Sequence, residues 1–330
     1  SDKTNENIEE VNGGTNLNPV VTDQQIPESE ESQKITKNSP TEENVDVLIN
    51  KNELTPGQLE GKVKDRLIPK ALKQGLEDIL EWEAPSDEKH DIYRSIVPLT
   101  ERKKGHKINE LASEDAKVQS LAYPTPSNEG HSVTGGGEQG ADVYAFDHWQ
   151  YLDSFVDWGS LIPAPDITDE AHRNGVPVYG TIFFNWSTSS EDRERVKKFL
   201  QKDEDGTYPV ARKLVELAQY YNFEGYFINQ ETSMPNNEGY SEEFDNFMRY
   251  AKEYAAEKDH KHFNFSRYDS MSEAGQRYHG DAVDEYNQFF MRKDEAGKNS
   301  VDEFFMNFNW RKSQVDKTVE NMRELGRDPY

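Results

Sequence analysis

From Gly140 to the end of the chain, short apolar or alternating runs are separated by segments whose apolar residues recur at helical spacing. A strand sends successive side chains to opposite faces and a helix repeats about every 3.6 residues, so the two periods tell the elements apart. Val143 to Trp149 reads as a strand, and so does Val176 to Trp186, entered through Gly175 and Pro177. A helix is expected to start near Ser190, a good N-cap ahead of Glu191 and Asp192, and to turn Val196, Phe199 and Leu200 inward. Pro209 to Tyr221 carries Val210, Leu214, Leu217 and Tyr221 on one helical stripe. Beyond it the pattern predicts a strand from Gly225 to Glu231, a helix from Ser241 to Lys258 and a strand from His262 to Asp269. An irregular region follows, then a strand from Val301 to Trp310 and a helix from Ser313 to Leu325.

Strands alternating with helices indicate parallel βα units. Five in succession predict an α/β fold of the (β/α)8 TIM-type barrel kind, whose chemistry lies at the C-terminal strand ends. His148, Asn185, Glu231, Tyr268 and Asn309 all fall at such ends, with Trp186 closing the second strand. A doubly wound open sheet would also alternate, but no Gly-x-Gly-x-x-Gly follows the first strand. Only about 190 residues follow Gly140, whereas a barrel needs eight strands and typically about 250 residues. The final Gly326-Arg327-Asp328-Pro329-Tyr330 has the character of a helix end leading into another strand. The expectation is therefore an incomplete barrel of about five βα units, completed by a further C-terminal segment or by a second chain.

The earlier part of the chain is built differently. Leu59, Val63, Leu67, Ile68, Leu72, Leu76, Ile79 and Leu80 recur near helical spacing around Pro69, which predicts one kinked or two short helices before Trp82. Ser86 to Asn128 is mixed, and Gly135-Gly136-Gly137 reads as a loop, since no Gly-Lys-Ser/Thr follows to make it a phosphate cradle. Nothing before Trp82 is aromatic, and runs such as Glu28-Ser29-Glu30-Glu31-Ser32 cannot bury enough surface to fold. The expected organisation is a disordered acidic leader over 1–50, a helical and loop segment packing on the barrel over 51–140, and the N-terminal part of the barrel over 141–330.

The hydrophobic fraction of 33% agrees with such a leader, and the formal net charge of −25 argues against nucleic acid or an anionic membrane as partner. No run approaches the roughly 20 apolar residues needed for a membrane-spanning helix. The chain begins at Ser1, so a removed signal segment and a trimmed chain look alike. The absence of cysteine rules out disulfides, thiolate metal sites and cysteine nucleophiles. Asp203-Glu204-Asp205-Gly206 lacks the spacing of an EF-hand, and no Gly-x-Ser-x-Gly elbow marks a serine hydrolase.

The candidate chemistry lies in Gly225 to Glu231, where an apolar run ends in an amide and a carboxylate two residues apart. On a strand, Phe227, Asn229 and Glu231 share one row, and Tyr226, Ile228 and Gln230 the other. An amide beside a carboxylic acid suits a glycosidase whose substrate supplies its own nucleophile. An isolated Asn-x-Glu also occurs as an exposed or loop-capping pair, and a two-carboxylate glycosidase would need a second acid in the pocket. Asp147 and Asp269 are the nearest candidates, and alternation aims both away from the polar row.

The surrounding segments resemble glycoside hydrolase family 85, the endo-β-N-acetylglucosaminidases that cut between the two core N-acetylglucosamines of N-linked glycans. The resemblance rests on Tyr144-Ala145-Phe146-Asp147-His148-Trp149 with Asp153-Ser154-Phe155-Val156, Ala171-His172-Arg173-Asn174-Gly175-Val176 leading to Tyr179-Gly180-Thr181, Gly225 to Glu231, Tyr268-Asp269-Ser270-Met271, and Phe305-Met306-Asn307-Phe308-Asn309-Trp310. It implies that Glu231 is the general acid/base and that Asn229 orients the substrate's 2-acetamido group, in a retaining, substrate-assisted mechanism without metal or organic cofactor. It further implies that Tyr268 sits against the reacting sugar and Trp310 lines the glycan cleft. His148, Trp186 and Asn309 complete the expected substrate contacts. One departure falls on the acceptor side, where many members place a tryptophan near the position of His279. The expected partners are the N-linked glycans of glycoproteins, with no nucleic acid and no membrane insertion. The acidic leader and the likeness to Gram-positive members point to a secreted or wall-associated protein, the cytoplasm remaining open. A glycan-binding module without catalysis is the alternative.

Overall fold

The structure, a computed structural model, describes residues 74–86, 88–102, 118–123 and 148–329. The expected leader, the helical pattern before residue 74, the triple glycine, Asp147 and most of Val143 to Trp149 lie outside the described residues.

Six strands form one sheet in sequence order, every neighbouring pair parallel: β1 Val118–Tyr123, β2 Leu152–Asp157, β3 Val178–Ser187, β4 Gly225–Thr232, β5 Asn264–Tyr268 and β6 Glu303–Phe305. Between and after them run α1 Pro165–Arg173, α2 Ser190–Phe199, α3 Pro209–Tyr221, α4 Tyr240–Glu257 and α5 Lys312–Glu324. The sheet is strongly curled. Ser154 Oγ on β2 donates to Glu303 Oε2 on β6 at 2.9 Å, whereas four strand spacings in a flat sheet would hold them about 19 Å apart. Tyr179 on β3 donates to the other oxygen of Glu303 at 3.2 Å. Sequential parallel strands curled to face one another are the wall of a (β/α)8-type barrel.

Burial follows the alternation. Val156, Trp158, Tyr179, Phe183, Phe227 and Tyr268, with Phe305, form an inner cluster enclosed by the strands. Ile182, Phe184, Tyr226, Ile228 and Phe265 point the other way, into a larger core with Val196, Phe199, Leu214, Leu217, Phe244 and Phe247 of α2, α3 and α4. Phe227 therefore marks the inner row of β4, the row that Asn229 and Glu231 continue.

Several expectations change. Trp149–Tyr151 is a 3-10 turn and not a strand end, because Trp149 reaches the core directly, edge-on to Phe155 at 5.3 Å, and the strand begins only at Leu152. Residues 118–123 join the sheet, so it starts before position 141. The strand expected over Val301 to Trp310 shrinks to Glu303–Phe305 because Asn307 turns its side chain onto the backbone N–H of Phe308 at 2.7 Å and bends the chain away. The cap of α2 is Ser189, whose hydroxyl accepts from Asp192 N at 3.1 Å, one residue before the expected Ser190. The described end of the Leu54 to Trp82 pattern is a single 3-10 turn, Ile79–Glu81.

The segment before the sheet docks on its N-terminal side. Asp169 of α1 accepts from Ser95 Oγ and from the backbone N–H groups of Ile96 and Val97. Fully buried His172 lies 2.6 Å from Glu224, whose other oxygen accepts from Val178 N. These contacts fix the starts of β3 and β4.

Candidate active site

Phe223, Tyr226 and Ile228 anchor β4 to α3 and the outer core, which leaves Asn229 and Glu231 on the inner row at the strand's C-terminal end. Both are buried, at 3% and 5% exposure, and Asn229 Nδ2 donates to Glu231 Oε2 at 3.1 Å. Among the described residues this is the only hydrogen bond of the Asn229 side chain, so its carbonyl oxygen and second N–H are left for a ligand. The other carboxylate oxygen, Oε1, is buried without a hydrogen bond and lies 3.4 Å from His279 Nε2.

Three rings wall this carboxylate. His279 stacks on Trp186 with centroids 5.0 Å apart and planes 22° apart, and meets Tyr268 at 5.7 Å. Trp186 reaches this place through a register shift between Phe184 and Ser187 at the end of β3; a bulge there re-aims a side chain that strict alternation would send outward. The guanidinium of Arg277 covers Trp186 at 3.9 Å. Tyr268 donates from its hydroxyl to Asn307 Oδ1 at 3.1 Å. Burial first, then the charges of Glu231, Asp269 and Asp281, push the Tyr268 phenol up, so it keeps its proton and serves as a donor.

This arrangement of an inward amide and acid under an aromatic wall stands on segments with known counterparts. The model of glycosyl hydrolase family 85 matches residues 126–330. The chain belongs to this family. Its relatives include cytosolic endo-beta-N-acetylglucosaminidases of Gallus gallus, 28% identical over 274 residues covering 78% of this chain and 33% of that protein, and of Mus musculus, 32% identical over 198 residues covering 58% and 25%. The crystal structure of the Endo-D glycoside hydrolase domain of Streptococcus pneumoniae R6 superposes with a TM-score of 0.71 at 47% identity, over 80% of this chain and 41% of that one. The chain thus spans a third or less of the length of these curated relatives.

Within this family 85 chain, the expected site residues divide. Asn229, Glu231, Tyr268 and Trp186 converge at the ends of β3, β4 and β5. Asn309 and Trp310 lie beyond β6 on the segment that Asn307 bends away, Trp310 being 54% exposed, so neither stands on a strand end. His148 is exposed and precedes β2, on the side of the sheet opposite the strand ends, because the strand it was expected to close does not include it. Asn185 is exposed at the bulge, where its carbonyl accepts from Thr232 Oγ1 at 2.7 Å.

Asp269 is fully buried and spends Oδ1 on the N–H of Gly280 at 3.3 Å and on Asn287 Nδ2 at 3.1 Å. It ties the loop that follows β5, and it is turned away from the Asn229–Glu231 row. Burial pushes its pKa up to about 7, against those two hydrogen bonds and the nearby Arg267. Among the described residues no group of three or more His, Cys, Asp or Glu could hold a metal ion, and no helix is long and apolar enough to cross a membrane. Asp281 carries no motif and belongs to the irregular region, and Asn307 stands in a matching segment that assigned it no role, so only the folded chain shows that both reach the site.

Proposed function

We propose that this chain supplies the acid/base and the acetamido-orienting amide of an endo-β-N-acetylglucosaminidase, which hydrolyses the GlcNAc-β1,4-GlcNAc core of N-linked glycans with retention. Family membership and the names of its relatives support the substrate class. The observation that carries the mechanism is the Asn229–Glu231 contact at 3.1 Å on the inner row of β4. Two-carboxylate retaining enzymes place their acids about 5 to 5.5 Å apart, and here an amide stands where the second acid would be.

The sugar's acetamido oxygen attacks C1 and its N–H becomes more acidic as positive charge spreads over the forming oxazolinium ring. Asn229 Oδ1 accepts that N–H and holds the arm under C1. A neighbouring group so placed has an effective molarity on the order of 10⁵ to 10⁸ M, enough to replace a protein nucleophile. Glu231 protonates the leaving oxygen and then takes a proton from the incoming water, a contribution of about 10²- to 10⁴-fold. Tyr268 and Trp186 supply ring faces around the reacting sugar, and Trp310 and Asn309 serve the more distant part of the glycan.

Mass spectrometry of a denatured high-mannose glycoprotein tests the activity: release that leaves one N-acetylglucosamine on asparagine is expected, and binding without release would make the chain a binding module. Glu231→Gln should lower hydrolysis at least about 100-fold. Asn229→Ala should block the natural substrate yet spare part of the reaction with a preformed sugar oxazoline; equal loss of both would remove Asn229 from its role. The acidic leader favours a secreted or wall-associated enzyme, although several relatives are named cytosolic. Fractionation of the producing cells separates the two.

A further inference from the structure

Asn229 occupies only one of the two carboxylate oxygens of Glu231, and the other faces a histidine. We propose that His279 is a positioning residue for the acid/base: its Nε2–H faces Glu231 Oε1, the oxygen that carries the proton, and steadies that oxygen whenever the proton is away. This rests on reading Glu231 as the acid/base.

The surroundings hold the imidazole in place. Its side chain is 1% exposed, with Trp186 stacked on one face and Tyr268 tilted against it. The loop that carries it is pinned on both sides, by Tyr278 N donating to Ser270 O at 3.0 Å and by Gly280 N donating to Asp269. Asp269 also holds Asn287, which in turn donates to Ala282 O at 2.7 Å. A ring so fixed keeps Nε2 3.4 Å from Oε1, which is close but not yet aligned as a hydrogen bond. Contacts of this kind often tighten only when substrate is bound. Packing alone would be served by any flat apolar ring; a nitrogen directed at the acid serves something more.

The proton count closes. In the first half-reaction the O–H bond at Oε1 breaks, the proton passes to the leaving oxygen as its bond to C1 breaks, and Nε2–H donates to the new carboxylate. In the second, a proton from the attacking water returns to Oε1 and the donation lapses. His279 keeps its own hydrogen throughout. The titratable groups facing it are Glu231 on β4 and Tyr268 on β5, with Asp281 on its own loop, while Asp269 just past β5 meets the backbone N–H of the neighbouring Gly280. Arg277 lies beyond Trp186, the uncharged neighbour on β3.

The test compares His279→Phe, which keeps a ring in the stack, with His279→Gln, which restores an N–H. Each is assayed across pH on a natural N-glycan and on an aryl glycoside whose leaving group departs with little protonation. His279→Phe is expected to lose about 10- to 100-fold in kcat/KM on the natural glycan, the worth of a hydrogen bond to a charged group, and much less on the aryl glycoside. Loss of a donor to the carboxylate should also move the alkaline limb of the profile to higher pH, and His279→Gln should recover part of both effects. Equal losses on the two substrates with an unmoved limb, a limb moved to lower pH, or no recovery in His279→Gln would overturn the proposal. Should neither variant fold, nitrogen NMR of the unmodified protein decides: an Nε2–H tautomer at His279 supports it and an Nδ1–H tautomer overturns it. An inactive Glu231→Gln beside an unchanged His279→Phe profile sinks this inference alone, whereas an active Glu231→Gln sinks the acid/base reading itself.

Discussion

Glu303 shows what the barrel interior does to a single residue. Its carboxyl is partly buried between β2 and β3, accepting from Ser154 and Tyr179, and Asn264 Nδ2 donates to the Tyr179 hydroxyl at 3.5 Å. Burial pushes its pKa up to about 7 from 4.5, and those two hydrogen bonds only partly oppose the shift. A raised carboxyl favours the native state while protonated. Below about pH 4.5 native and unfolded chains both hold the proton and Glu303 has no effect. As pH rises toward 7 the unfolded chain has released a proton that the native state still binds, and stability falls by an amount on the order of 1–3 kcal/mol. Glu303→Gln keeps the shape and cannot ionise, and the hydroxyls of Ser154 and Tyr179 can turn to suit an amide. Its Tm is expected to exceed the parent's by a few degrees at pH 8 and to match it near pH 4.5. A larger gain at the acid end would contradict the sign. Nothing in the sequence marked Glu303, because its burial depends on β2 and β6 meeting across the curl.

At the scale of elements, β4 depends on how closely its first residue approaches β5. Gly225 has φ +140, and a Cβ there would lie 1.9 Å from the carbonyl oxygen of Asn264. Gly206 has φ +81 in a turn with nothing within 4 Å. Gly225→Ala should therefore destabilise by more than about 3 kcal/mol or prevent folding, while Gly206→Ala should cost only its backbone strain, about 1 kcal/mol; chemical denaturation compares them, and similar costs would refute the close approach. The elements legible in the sequence were those with one dominant period. Pro209 to Tyr221 carries its stripe without interruption and folds as α3 over the same residues, and the alternation of Gly225 to Glu231 placed Asn229 and Glu231 in one row, as observed. Where structure and sequence pattern differ, the causes are local. Leu152 to Asp157 follows directly on an aromatic turn, so the apolar signal of Trp149 masked where the strand starts. Pro165 and Asp166 form an ordinary helix start for α1, a helix too short and polar to show a clear apolar stripe. The loop from Asp269 to Asp302 has no period at all, so the approach of His279 to Glu231 was invisible although the residue itself stood out as a departure from the family pattern.

The whole molecule combines a curled parallel wall with a strong excess of acid. With 38 Lys and Arg against 63 Asp and Glu, the formal net charge is −25. Such a charge destabilises a compact state by self-repulsion. The ion pairs that offset it, such as Lys312 with Asp316 and Lys197 with Glu194, are exposed and worth little. Buried charge is handled otherwise, by the His172–Glu224 contact at 2.6 Å beneath the sheet, which salt reaches poorly. Raising salt from about 10 mM, where the Debye length is about 30 Å, to about 0.15 M, where it is about 8 Å, therefore screens repulsion more than attraction. Tm should rise by a few degrees over that range, read by calorimetry at constant pH. A neutral high-mannose glycan carries no charge for this field to act on, so its KM should change by less than about twofold over the same range. A sialylated glycan approaches a like-charged surface, and its KM should fall as salt is added. A KM for the acidic glycan that climbs with salt would mean that a local basic path at the cleft outweighs the global charge.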